Sequence, residues 1–331
     1  MRSRWYRLPA VMCFFLVTAL TACRLQRTGT MNAQQLPGGK KSVALVAKSA
    51  ESAFWKTVRA GANAASTEYN LDLTFEAPLA EEDYAAQNRM IENVVRDGAD
   101  AIVFSAVDFE ANADAVDEAA AEGVKIVVID SEVNSSAVEC YIGTDNYEAG
   151  CLAGEAALAC EEPAMNIGIV NYDKNSENGQ TREAGFRDTV AEDERAVIVD
   201  AINVNSTTEE AKEGTLAMID RNPQINVIAT FNEWTSLGVG YAIQERGLED
   251  EIHVVAFDSN VVSVGMLETG EVDALIVQNP YAMGYLGVEN AYSLINGQSI
   301  TDKEIGTSLL IVTKENMYDD ESQRLLFSFD K

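Results

Sequence analysis

Nine short, continuous apolar runs alternate with amphipathic stretches along this chain, and that alternation restricts the fold more than any other feature. The runs are VALVA (43–47), LDLTF (71–75), AIVFS (101–105), KIVVID (125–130), NIGIV (166–170), VIVDAINV (197–204), NVIATF (226–231), HVVAFD (253–258) and ALIVQ (274–278). Between them, helical periods cover 55–69, 84–96, 112–121, 148–158, 181–190, 209–220 and 236–245. Strands that are apolar on both faces and separated by helices form parallel sheets covered on both sides. The span divides naturally into two α/β units of about 130 residues each. The first closes near CYIGTDN (140–146) and the second near VQNP (277–280), where Pro280 interrupts the pattern. A further helix over 282–294 has no strand of its own and must pack back on one of the units.

In open parallel sheets, ligands sit outside the carboxyl ends of the strands. Polar residues recur at that place: Lys48-Ser49 followed by Ser52-Ala53-Phe54-Trp55, then Asp130-Ser131, Asn232-Glu233-Trp234, Asp258-Ser259-Asn260 and Gln278-Asn279. Asp, Asn and Gln side chains offer the donor and acceptor pairs that match vicinal hydroxyls. Phe54 and Trp55 offer flat apolar faces that match the C–H face of a sugar ring. Singly, each has a bland explanation, since Asp or Asn after a strand often caps a helix and an aromatic pair at a helix start is often core. Recurrence at five strand ends reads as a polyol or sugar site.

The chain begins MRSRWYRLPAVMCFFLVTALTAC. Arg2, Arg4 and Arg7 precede an apolar segment over 8–19 that is shorter than the roughly 20 residues a membrane helix needs. This reads as an export leader, residues 1–22, and the small residues before Cys23 resemble a lipobox, which would make Cys23 the lipid-modified N-terminus; the alternative is an ordinary secretory signal with an incidental cysteine. Residues 23–41 are polar, with Gly and Pro, and read as the anchor and a flexible spacer. The expected location is extracytoplasmic, tethered to the bacterial membrane. Removing the leader leaves 21 basic against 53 acidic residues, a net charge of −32. So acidic a surface argues against nucleic acid and anionic lipid as partners.

Of the five cysteines, Cys140, Cys151 and Cys160 remain after Cys13 and Cys23 are set aside. Cys151 and Cys160 lie nine residues apart and point to opposite faces of one helix, so buried free thiols are expected, with a Cys140 bridge the other possibility. The single histidine, His253, starts an apolar strand, and no cluster has metal spacing. No metal, no cofactor and no histidine-based catalysis is expected.

Several segments together resemble the ribose-binding class of type I periplasmic solute-binding proteins: VALVAKSAESAFWKTVRAGA, DGADAIVFSAVD, GVKIVVID, YIGTDNYEAGCLAGE, TREAGF, NPQINVIATFNE, VVAFDSN and VDALIVQNPYAMGYLGVE. The resemblance runs from Ser42 to Thr313. It implies two doubly wound parallel-sheet lobes joined by three crossovers near Thr144-Asp145, Gln278-Asn279 and Ser308. The lobes would be 42–144 with 279–308, and 145–278 with 309–331. It implies that Phe54 and Trp55 sandwich a sugar ring, that Asp130 binds hydroxyls, and that Asn232, Asp258 and Gln278 complete the shell, with Lys48 and Ser52 in the first loop. Two positions depart from the ribose pattern: Ser131 and Gln180 stand where arginines are expected. Ser206 stands where a second-lobe aromatic often sits. Arg182 matches the R-x-x-G-F element, which is more often structural, and Lys48 is expected to pair with Asp130 or Glu51, the alternative being contact with a carboxylate or phosphate on the ligand.

The implied function is capture of a monosaccharide by hinge closure and its delivery, by a monomer, to an ABC-type permease; the alternative is signalling to a sensor kinase or chemoreceptor. An enzyme using Asp130 and Asp258 as a carboxylate pair has no further support, and a DNA-binding regulator of the same fold would need a helix-turn-helix where the leader stands.

Overall fold

A computed structural model describes residues 39–327. The leader, Cys23 and most of the spacer lie outside the described residues. The chain forms β1 (Ser42–Val46), α1 (Ala53–Glu68), β2 (Asp72–Glu76), α2 (Tyr84–Arg96), β3 (Ala101–Phe104), α3 (Ala113–Ala121), β4 (Lys125–Ile129) and β5 (Cys140–Gly143). There follow α4 (Asn146–Leu158), β6 (Met165–Asn171), α5 (Glu177–Val190), β7 (Ala196–Asn203), α6 (Thr208–Arg221), β8 (Val227–Thr230), α7 (Glu233–Arg246), β9 (His253–Phe257), α8 (Val261–Thr269) and β10 (Ala274–Val277). The last elements are α9 (Pro280–Ile295), β11 (Glu304–Gly306), β12 (Leu310–Thr313) and α10 (Asp320–Leu326).

Two six-stranded sheets result, in the orders β11-β5-β4-β3-β1-β2 and β12-β10-β9-β8-β6-β7. All pairings are parallel except β10 with β12. Helices cover both faces of each sheet, so each lobe has two apolar cores, and the strands β3, β8 and β10 are buried along their whole length. The chain passes between the sheets three times: from β5 into α4, from β10 into α9, and from β11 into β12. Helix α9 returns to the first lobe, packing on α1 and the β3–β5 face.

Several helices start earlier than their apolar periods. Helix α5 begins at Glu177 rather than 181 and α7 at Glu233 rather than 236. Their first turns carry polar residues that break the period, and in α7 a cap fixes the start. Asn232 accepts from the Thr235 amide in a capping box, and the acidic Glu233 suits the positive helix end. Cys140 is buried, but Cys151 and Cys160 are only half-buried, and all three are free thiols.

The α1–α9 contact depends on glycine. A Cβ on Gly284 would land on the Val58 carbonyl, and one on Gly61 on the Tyr281 carbonyl. These backbones therefore approach closer than any side chain allows. Gly284→Ala is expected to destabilise the protein by about 1–3 kcal/mol through overpacking. Urea unfolding with an unchanged slope and a lowered midpoint would register this, and an unchanged midpoint would show that α9 shifts freely.

Candidate functional site

The carboxyl ends of both sheets face each other across a cleft. Fourteen residues line its cavity: Lys48, Ser52, Phe54, Trp55, Glu81 and Asp130 from the first lobe, and Tyr172, Asn178, Arg182, Asn232, Glu233, Trp234, Asp258 and Gln278 from the second lobe or its junction. Eight of the eleven ligand-binding positions expected from sequence lie here together. Ser131, Gln180 and Ser206 do not. Each of these three instead has a buried polar atom with no hydrogen-bond partner in the protein. Ser131 directly follows the left-handed Asp130, Gln180 lies on α5 near the 108–111 loop of the first lobe, and the Ser206 amide donates to Glu82.

Asp130 and Asp258 follow β4 and β9, one in each lobe, and share an unusual backbone. Their φ angles are 60° and 67°, in the left-handed region that Asp tolerates better than most residues. The amide of each donates to the neighbouring strand, Asp130 to Ile142 O and Asp258 to Ile276 O. The strand thus ends in a tethered left-handed turn that aims a carboxylate into the cleft. Neither residue caps a helix.

Arg182 occupies the centre. It is 1% exposed, and its Nε donates to Asn146 Oδ1 at 2.9 Å, one terminal nitrogen to Phe231 O and the other to Gln278 Oε1, both at 2.8 Å. It sits 3.8 Å from Asp130 Oδ1 and over the Phe257 ring. The sequence expectation of a purely structural R-x-x-G-F arginine is therefore corrected: Arg182 is also part of the cavity wall. A buried guanidinium is tolerable only when it is paired, and here each of its three nitrogens donates a hydrogen bond while Asp130 lies close by.

Lys48 also departs from expectation. It pairs with neither Asp130 nor Glu51; its ammonium donates to Ser176 Oγ at 2.6 Å and Asn178 Oδ1 at 3.4 Å, across the cleft, and lies over the Tyr172 ring. Asn178 in turn donates to Asp130 Oδ1 at 3.2 Å. Glu233 bridges the lobes too. Its carboxylate accepts from the Ala53 and Phe54 amides at the start of α1, at 3.1 and 3.0 Å, and from Asn260. An anion at a helix N-terminus meets free N–H groups and the positive end of the dipole.

Phe54 and Trp55 meet edge to face, with ring centroids 5.1 Å apart, and belong to the first-lobe core while also lining the cavity. The second lobe supplies Tyr172 and Trp234, so the aromatic absent at Ser206 is provided from elsewhere. Tyr172, Glu81 and Asn178 are not singled out in the sequence reading, and Glu233 and Trp234 appear there only as part of the strand-end run Asn232-Glu233-Trp234. Tyr172 stands just past the 166–170 run, after which no polar group was singled out, Glu81 lies on the loop before α2, and the others sit in helix first turns outside the apolar period. His253 lies at the opposite end of β9 from Asp258, bonded to Ala156 O. No group of His, Cys, Asp and Glu able to hold a metal occurs among the described residues.

The cavity holds four carboxylates against two cations. Burial pushes the Asp258 carboxyl up to about 7 against the pull of Arg182 and the Gln278 hydrogen bond, and the Glu81 carboxyl to about 7 against Lys48 and Trp234. Burial also raises Glu233, despite the amides it accepts.

A periplasmic binding protein domain model matches residues 43–299. A D-ribose/D-allose-binding protein of Pseudomonas aeruginosa is 26% identical over 271 residues, covering 78% of this chain and 84% of that protein. A carbohydrate transporter solute-binding protein of Agrobacterium radiobacter, solved with D-arabinose, superposes with a TM-score of 0.84 at 29% identity, covering 87% of this chain and 99% of that one. An ABC transporter solute-binding protein of Agrobacterium vitis, solved with D-fucose, gives 0.83 at 29%, covering 86% and 99%.

A group whose pKa is raised on folding stabilises the native state below its unfolded value and loses that contribution as pH rises through the folded value. For Asp258 and Glu81 that window runs from roughly pH 4 to 7. The ligand-free protein is therefore expected to lose stability between pH 5 and 7, by at most about 1.4 kcal/mol per pH unit for each proton. Asp258→Asn should flatten the slope. Urea midpoints that do not move over this range, in either protein, would contradict the assignment.

Proposed function

The chain belongs to the periplasmic binding protein domain family, a family of binding proteins rather than enzymes and one that works outside the cytoplasm. From that premise we propose that it captures a small sugar in the interlobe cleft and delivers it to an ABC-type importer.

The observation that carries this reading is the pairing of rings and hydrogen-bonding side chains in one cavity. Phe54, Trp55 and Trp234 offer apolar faces, while Asn232, Asp258 and Glu81 offer open polar atoms. Asn232 uses its Oδ1 to cap α7, which leaves its amide nitrogen for a ligand oxygen. Asp258 receives Gln278 on Oδ1 at 2.7 Å and keeps its other oxygen open. The named ligands of the similar proteins, D-ribose, D-allose, D-arabinose and D-fucose, are all monosaccharides. With Ser131 and Gln180 lying outside the cavity, hydroxyl recognition falls to carboxylate and amide side chains.

Closure follows from where the partners lie. Lys48 with Ser176, Asp130 with Asn178 and Arg182, and Glu233 with the start of α1 each join the two lobes. A sugar that touches both lobes only when these contacts are made shifts the population toward the closed form. The closed form is the one the importer reads. The lobes themselves are proposed as 42–144 with 279–308 and 145–278 with 309–331, acting as a monomer, with a lipid on Cys23 holding the protein at the membrane.

Two tests address this. Thermal stabilisation of residues 24–331 by a panel of pentoses, hexoses and polyols should be selective, about 2.7 kcal/mol at a hundredfold excess over Kd, and Trp55→Ala or Asp258→Ala should weaken binding at least tenfold with the fold retained. No shift with any sugar, or unchanged affinity in both variants, would remove the assignment. Separately, mass spectrometry of the full-length chain expressed in bacteria should find the mature protein beginning at an acylated Cys23; a mature N-terminus elsewhere, or an unmodified Cys23, would refute the anchor.

A further inference from the structure

We propose that Glu81 contacts the captured sugar and selects among sugars by one hydroxyl, held in place by Trp234 from the opposite lobe. This rests on the sugar-capture reading of the cleft.

Glu81 and Glu82 sit on the loop between β2 and α2, and both reach across the cleft. Glu81 Oε1 accepts from Trp234 Nε1 at 3.1 Å, and Glu82 accepts from the Ser206 amide. The partners are 153 and 124 residues away in sequence, in the second lobe. One short first-lobe loop is thus fastened twice to the opposite wall, and Glu81 lines the cavity at the inner of the two fastenings.

The decisive comparison is among the cavity's charged groups. Asp130 has both oxygens engaged, by Ser105 at 3.0 Å and Asn178 at 3.2 Å. Glu233 has both engaged, by two amides and Asn260. Arg182 has all three nitrogens engaged, and Lys48 is turned toward Ser176 and Asn178. Among the described residues, Glu81 Oε2 has no protein donor, and the same holds for Asp258 Oδ2. These two oxygens are the acceptors left for a ligand. A carboxylate oxygen in a cleft calls for a donor, and a sugar hydroxyl supplies one of the stronger, charge-assisted kind.

Trp234 is the positioning residue. Its indole N–H fixes the Glu81 carboxylate, so that the second oxygen has a defined direction, and its ring forms part of the cavity wall. Because the contact spans the lobes, the Glu81 site is complete only when the cleft closes. Selection by Glu81 therefore acts on the closed, retained complex.

The test is a double-mutant cycle between protein and sugar. D-ribose, D-allose, D-arabinose and D-fucose are titrated by calorimetry against wild type, and for each sugar that binds, its monodeoxy analogues are titrated against wild type, Glu81→Ala and Trp234→Phe. Glu81→Ala should weaken the parent sugar about tenfold. One deoxy analogue should bind wild type about tenfold more weakly than the parent, yet lose no further affinity on Glu81→Ala. Trp234→Phe keeps the ring and should reduce discrimination against that same analogue. If Glu81→Ala weakens the parent and every analogue equally, the residue is structural and the proposal fails. If Glu81→Ala leaves the parent unchanged, it fails as well. Wild type that binds none of the four, nor any other member of the pentose, hexose and polyol panel, overturns the sugar-capture reading, and this proposal with it; a panel sugar that does bind takes the parent's place in the cycle.

Discussion

The cleft is organised around one buried guanidinium. Arg182 ties together the start of α4 through Asn146, the end of β8 through Phe231 O, the end of β10 through Gln278, and the first-lobe Asp130. Two of those partners, Asn146 and Gln278, stand beside points where the chain passes between the sheets. Removing a buried charge's partner leaves the other charge uncompensated, at a cost of about 3–5 kcal/mol. The hinge region, the cavity wall and the approach of the two lobes are thus coupled through one side chain. Gln278 relays the coupling: its Oε1 accepts from Arg182 and Thr144 while its amide donates to Asp258.

Around that centre the cleft is built with more acceptors than donors. Left-handed turns at Asp130 and Asp258 each carry a local conformational cost, of order 1–3 kcal/mol in general, which the tethers to Ile142 and Ile276 hold in place. Desolvated carboxylates without full hydrogen bonding add to that cost. A ligand rich in hydroxyls relieves it by supplying donors to oxygens that no protein group reaches. The conformational and desolvation costs of the cleft and the affinity proposed for a sugar therefore have the same physical origin.

The limits of sequence reading follow from the kind of signal each residue gives. Asp130, Asn232, Asp258 and Gln278 were legible because they follow apolar runs, and the carboxyl end of a parallel strand is a ligand position for any chain. Phe54 and Trp55 were legible as an aromatic pair at a helix start. Lys48 was found, but its partner was misjudged, because the nearest acids in sequence are not those nearest in space; it bonds to residues 128 and 130 positions away. Arg182 looked structural because R-x-x-G-F reads as packing, and only the folded α5 shows that the same guanidinium also faces the cavity. Gln180 and Ser206 were carried by resemblance alone and Ser131 by resemblance and its place after an apolar run, and none of the three lines the cavity.

What the sequence by itself determined is the α/β class, the parallel sheets and the strand ends from which the site is built. Those follow from local periodicity and from the fixed relation between a parallel strand's carboxyl end and its cleft. Only the tertiary structure decided which side chains complete the site. Glu81 with Trp234, Glu233 with α1, and Lys48 with Ser176 join residues 128 to 180 positions apart, whose meeting depends on how two separately folded sheets face each other. No local pattern encodes that relation, because each partner taken alone is an ordinary polar residue in a loop or the first turn of a helix.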